Sequence, residues 1–92
     1  MTDKKVALVT GASRGIGKAI SDRLGRDGYY VVGTATSENG ANAITERFKA
    51  AGIEGVGKVL NVTDGEQVKA VIKDITGEVG APTILVNNAG IT

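Results

Sequence analysis

The chain has 92 residues, 11 lysines and arginines against 10 acidic residues, and neither cysteine nor histidine. That length suits one small domain with a thin core, the balanced and dispersed charge gives nucleic acid or an anionic membrane nothing to hold, and the missing thiols and imidazoles remove disulfides and the usual soft metal sites. Lys4-Lys5 before a short apolar run is the faintest outline of a signal peptide. The run stops after four residues and Arg14 follows, so a cytoplasmic protein is the simpler expectation, and no apolar stretch reaches membrane-spanning length.

Val6 to Val9 reads as a first strand, and Thr10-Gly11-Ala12-Ser13-Arg14-Gly15-Ile16-Gly17 follows it at once. A helix pattern opens there, with Ile16, Ala19, Ile20 and Leu24 at helical spacing and Gly28 at its end. The glycines therefore fall at a strand-to-helix turn. Unpaired N–H groups and the positive end of a helix dipole make such a turn a phosphate cradle. Gly11 is suited to the tight turn, Gly15 to close approach of a ligand, and Gly17 to close packing of helix on strand. The spacing Gly-x-x-x-Gly-x-Gly differs from the commoner Gly-x-Gly-x-x-Gly, and the plain alternative is an ordinary turn. No Gly-Lys-Ser/Thr ending is present, which excludes the triphosphatase loop.

Tyr29 to Ala35 reads as a second strand, with Asn39-Gly40 as the turn out of it. Ala41, Ile44, Phe48 and Ala51 form the stripe of a second helix closed by Gly52. Val56 to Val62 is a third strand. Thr63 or Asp64 caps the next helix, with Glu66 and Gln67 near the position of a capping box. Val68, Val71, Ile72, Ile75 and Val79 are its apolar face, Gly80 and Pro82 its stop, and Thr83 to Val86 a fourth strand leading into Asn87-Asn88-Ala89-Gly90.

Strands alternating with helices at this spacing predict right-handed crossovers and a parallel sheet. The expected fold is α/β, the N-terminal half of a Rossmann-type doubly wound sheet with strand order 3-2-1-4, and residues 1–92 are expected to form the dinucleotide-binding half of one such domain, its remainder absent from the chain. The ligand crevice then lies at the carboxyl ends of strands 1 and 4, where both glycine-bearing segments emerge. Strand 4 is left with an unpaired edge, so either more chain follows or another polypeptide completes the sheet.

The glycine turn, Asn61-Val62-Thr63-Asp64 and Asn87-Asn88-Ala89-Gly90, at these separations, resemble the cofactor half of the classical short-chain dehydrogenase/reductase family over the whole chain. More narrowly, Val9 to Gly17, Gly33 to Gly40 and Asn87 to Thr92 resemble its bacterial 3-oxoacyl-acyl-carrier-protein reductase branch. The resemblance implies that Gly11, Ser13, Arg14 and Ile16 line the diphosphate and adenosine-ribose side of a pocket, with Gly15 and Gly17 shaping the same turn. It implies that Thr36 lies beside the 2′-phosphate, that Asn61 and Val62 flank the adenine, and that Asn88, Ala89 and Gly90 approach the nicotinamide-side ribose. Each has a plainer reading: Asn61 as the cap of a strand end, Val62 as core, Asn88 as a tie between strands.

The cofactor expected is NADP(H). Preference for NAD calls for a carboxylate near the end of strand 2, and Ala35, Thr36 and Ser37 stand there instead, with Arg14 able to supply a forked cationic donor. Glu38 reaches the ribose only if the strand runs longer. The resemblance further implies fatty acid biosynthesis, an acyl-carrier-protein substrate and a homotetramer for the complete enzyme, with no nucleic acid or membrane partner. It also implies a catalytic tyrosine with a lysine four residues on, and a serine. Tyr29 and Tyr30 are the only tyrosines, and Gly33 and Thr34 lie four residues beyond them. No catalytic residue is assigned, and the chain alone is expected to be inactive. The rival readings are another carbonyl reductase of the family and a noncatalytic dinucleotide-binding module.

Overall fold

The computed structural model describes residues 5–11, 15–61 and 64–87. The elements run β1 (Val6–Thr10), α1 (Gly15–Arg26), β2 (Tyr30–Ala35), α2 (Glu38–Ala51), β3 (Gly55–Val59), α3 (Gly65–Glu78) and β4 (Pro82–Asn87). The strands form one sheet in the order β3-β2-β1-β4, every pairing parallel. This is the Rossmann-type arrangement expected from the sequence.

β1 is buried along its whole length, as a central parallel strand covered on both faces must be. On one face Val9, Val31 and Ala35 meet Ile44 and Phe48 of α2, with Ile20 and Leu24 of α1 packed beside them. On the other, Val6, Leu8 and Val32 meet Ile75, with Val71, Ile72 and Val79 around it. The chain moves outward from β1 to β3 through α1 and α2, then returns past β1 to β4 through α3. Crossovers of one hand that travel in opposite directions put their helices on opposite faces. Leu85 of β4, level with Leu8, is 60% exposed at the edge of the sheet.

Several boundaries differ from the sequence expectation. Asn39 and Gly40 lie within α2, because the Ser37 hydroxyl accepts the Gly40 N–H and starts the helix early. β3 ends at Val59, before Asn61. Pro82 opens β4, where it stands opposite Val6, and Thr83 is the extra residue that shifts the register. Its hydroxyl donates to the Val6 carbonyl at 3.3 Å and so occupies an acceptor at the irregularity. In α1 the buried residues are Gly17 and Ser21, while Ile16 and Ala19 face outward. The buried positions of this helix are small residues, beside the half-buried Ile20 and Leu24, and a hydrophobic stripe does not reveal that.

Candidate dinucleotide-binding site

The site expected from the sequence lies where the sheet reverses its order. At the carboxyl ends of β1 and β4, Thr10 stands opposite Asn87, and the Thr10 hydroxyl donates to the Val86 carbonyl at 3.3 Å. Gly11 leaves β1 with φ 65° and Gly15 enters α1 with φ 66°. Both values lie in the left-handed region that side chains with a Cβ adopt only at a cost. A Cβ built on Gly15 meets nothing within 4 Å, so the backbone at the start of α1 faces open space. Gly17, two residues later, is buried.

Electrostatics favours an anion at this turn. α1 has no acidic residue in its first turn and carries Arg23 and Arg26 in its last, whereas α2 and α3 begin with Glu38 and Glu66. The first-turn N–H groups of α1 therefore keep their partial positive charge uncancelled by a neighbouring carboxylate on the same turn. Ile16 is 66% exposed beside them and offers an apolar wall.

β2 ends at Ala35, which is buried, so of the three residues that stand in place of a carboxylate only two reach the surface. Ser37 caps α2, and Thr36 is an exposed hydroxyl between strand and cap. Glu38 belongs to the first turn of α2 and does not extend the strand. Past the end of β3, Asn61 is exposed; its N–H donates to Gln67 Oε1 at 3.1 Å, and its carbonyl accepts the Asp64 N–H at 3.0 Å. The cap of α3 is Asp64, whose Oδ1 accepts the N–H groups of Glu66 and Gln67. Gln67 thus does not close a capping box on Asp64 but reaches back to the loop. Only the length of a glutamine three places into a helix hinted at this in the sequence.

Gly11, Gly15, Thr36 and Asn61 therefore share the carboxyl edge of one parallel sheet. Ser13, Arg14, Val62, Asn88, Ala89 and Gly90 lie outside the described residues. The two tyrosines are at the opposite end. Tyr30 pairs with Val6 at the start of β2, and its phenol is raised above the ordinary value by burial first, then by the negative charges of Glu78 and Glu54. A proton-transfer tyrosine needs the reverse shift. Among the described residues there is no metal-holding group of carboxylates and no helix long and apolar enough to cross a membrane.

A parallel sheet in this order, with a glycine turn at its switch point, defines a dinucleotide-binding class of fold. Residues 5–92 match the short chain dehydrogenase family, and the chain belongs to it. It is 59% identical over 88 residues to 3-oxoacyl-acyl-carrier-protein reductase of Pseudomonas aeruginosa, covering 96% of this chain and 36% of that protein. The proteins of the same name from Vibrio cholerae serotype O1 and Escherichia coli strain K12 are 60% and 56% identical over 88 residues, again 96% of this chain and 35% of each relative. The chain spans about a third of the length of these curated relatives.

Proposed function

We propose that residues 1–92 form the cofactor-binding part of an NADPH-dependent reductase that converts 3-oxoacyl-acyl-carrier protein to the 3-hydroxyacyl form in fatty acid biosynthesis. The observation that carries the reading is the β1–α1 junction where the sheet reverses its order: Gly11 leaves β1 and Gly15 enters α1 at positive φ, and the first turn of α1 carries no acidic residue. That is a cradle for a diphosphate. The backbones of Gly15 and Gly11, with Ser13 and Arg14, hold the phosphates; Gly17 seats α1 against the sheet; Ile16 borders the same turn. Thr36 stands beside the 2′-phosphate, Asn61 and Val62 beside the adenine, and Asn88, Ala89 and Gly90 toward the nicotinamide ribose. When bound, the dinucleotide supplies the hydride, and this part of the protein supplies binding and orientation.

The substrate class and the acyl-carrier-protein partner rest on similarity to reductases of that name; a homotetrameric complete enzyme and a cytoplasmic location are part of the same proposal. Neither Tyr29 nor Tyr30 serves as proton donor, since β2 begins at the end of the sheet away from the glycine turn. The 92-residue chain therefore binds cofactor without turning over substrate.

Calorimetric titration of the chain with NADPH and NADH tests the reading. NADPH is expected to bind more tightly, and Arg14→Ala to weaken NADPH by roughly tenfold or more with a smaller loss for NADH, as removal of a charged hydrogen bond implies. Equal losses would remove the 2′-phosphate from the role of Arg14. Absence of binding to either dinucleotide would remove the reading itself.

A further inference from the structure

We infer that Gln67 is a positioning residue for the adenine end of the cofactor, acting through Asn61; the inference rests on the dinucleotide reading above. Asn61, just past β3, is tied to the start of α3 by hydrogen bonds. Asp64 Oδ1 accepts the N–H groups of Glu66 and Gln67 at 3.1 and 3.3 Å, which fixes the helix start. The Asp64 N–H donates to the Asn61 carbonyl at 3.0 Å, and the Gln67 amide oxygen accepts the Asn61 N–H at 3.1 Å. Both backbone groups of Asn61 are thereby referred to α3, and α3 is anchored in the core by Ile75, which is fully buried.

β3 ends at Val59, and the Leu60 N–H donates to the Ala35 carbonyl at 2.9 Å. Asn61 follows the strand, and its N–H goes to the Gln67 side chain. Gln67 itself is exposed and contributes nothing to either hydrophobic cluster. Asn61 held this way keeps its place before the ligand arrives, and less ordering is left to oppose binding.

The test uses the 92-residue chain with NADPH and with adenosine 2′,5′-bisphosphate, which carries the adenine end alone. Gln67→Ala is expected to weaken both by about three- to tenfold, the size of one lost hydrogen bond, measured at a temperature where both variants are fully folded. Backbone hydrogen exchange at Asn61 should accelerate in the same variant. Gln67→Glu retains an acceptor oxygen at the same reach and should restore both affinity and protection. Unchanged affinity in Gln67→Ala, with the unsubstituted chain binding well, would overturn the inference and leave the dinucleotide reading standing. Failure of Gln67→Glu to restore affinity would also overturn it. If the unsubstituted chain binds neither ligand, the dinucleotide reading falls and this inference with it.

Discussion

At Gly57 in β3, a Cβ would run into the Ala41 carbonyl oxygen and lie 3.0 Å from Ile44 Cβ, whereas at Gly15 it would meet nothing within 4 Å. The same residue type serves two regions in opposite ways. Along the seam between α2 and β3, the missing side chain is replaced by protein: α2 comes down onto the strand, the Gly57 N–H donates to Thr45 Oγ1 at 2.8 Å, and the Thr45 hydroxyl donates to the Ala41 carbonyl at 3.2 Å. At Gly15, where α1 begins, the missing side chain is left as space and φ is positive. The first region is finished by the protein itself. The second is open, as at Gly28, Gly52 and Gly80, but it alone stands at the start of α1, beside the point where the sheet reverses its order, and that placement is what the proposed function rests on.

Substituting each glycine tests the distinction most severely. Gly57→Ala forces α2 away from β3 against backbone atoms that cannot rotate aside, and a loss of about 3 kcal/mol in unfolding free energy is expected by chemical denaturation. For a chain this small, that is a large part of its total stability. Dinucleotide affinity of the molecules that remain folded should hardly change. Gly15→Ala reverses the pattern. Its positive φ costs an alanine roughly 1 kcal/mol, so the chain stays folded, yet NADPH affinity should fall about tenfold as the methyl group intrudes on the cradle and the turn relaxes. If Gly15→Ala binds NADPH as well as the unsubstituted chain, the open space at the turn is not a ligand site.

Those regions were not equally legible. The alternation of strands and helices, and the order 3-2-1-4 that it implies, could be read because apolar runs of four to six residues and helical stripes differ in period. The turn at Gly11 and Gly15 was legible too, since it joins a strand pattern to a helix pattern. Less visible were features set by single side chains. Asn39-Gly40 reads as a turn, but the Ser37 cap draws both residues into α2. Ile16 reads as part of an inward stripe, yet it is 66% exposed, and the buried positions of α1 are Gly17 and Ser21. Ser21 illustrates why: it is wholly buried, donates to the Lys18 carbonyl at 2.9 Å and accepts from Arg47 at 3.0 Å, so a polar residue fills a core position. Arg47 also meets Asp22 at 3.2 Å and joins α1 to α2. Such links depend on two helices meeting, and no local pattern carries them.

The smallest effect sharpens the comparison from the far end of the sheet, where Tyr30 looks chemically capable but sits in the closed region. Its N–H donates to the Lys5 carbonyl at 2.9 Å, and its phenol is held above the ordinary value of 10.0 by burial, then by Glu78 and Glu54. Glu78 also pairs with Lys58 at 3.6 Å, so the charges around the ring have protein partners of their own. A raised folded-state value means that the native chain holds this proton more tightly than the unfolded one. The contribution is complete below the ordinary value and is lost as pH rises from there through the folded value, because the unfolded chain ionises first. Urea midpoints of the unsubstituted chain and Tyr30→Phe, compared from pH 8 upward, should therefore converge or cross to the disadvantage of the tyrosine as the solution becomes strongly alkaline. NADPH affinity near neutral pH should be the same in the two. Parallel pH profiles would remove the burial argument, and a loss of affinity in Tyr30→Phe would bring the amino end of the sheet into the binding site, against the division between a closed region and an open one.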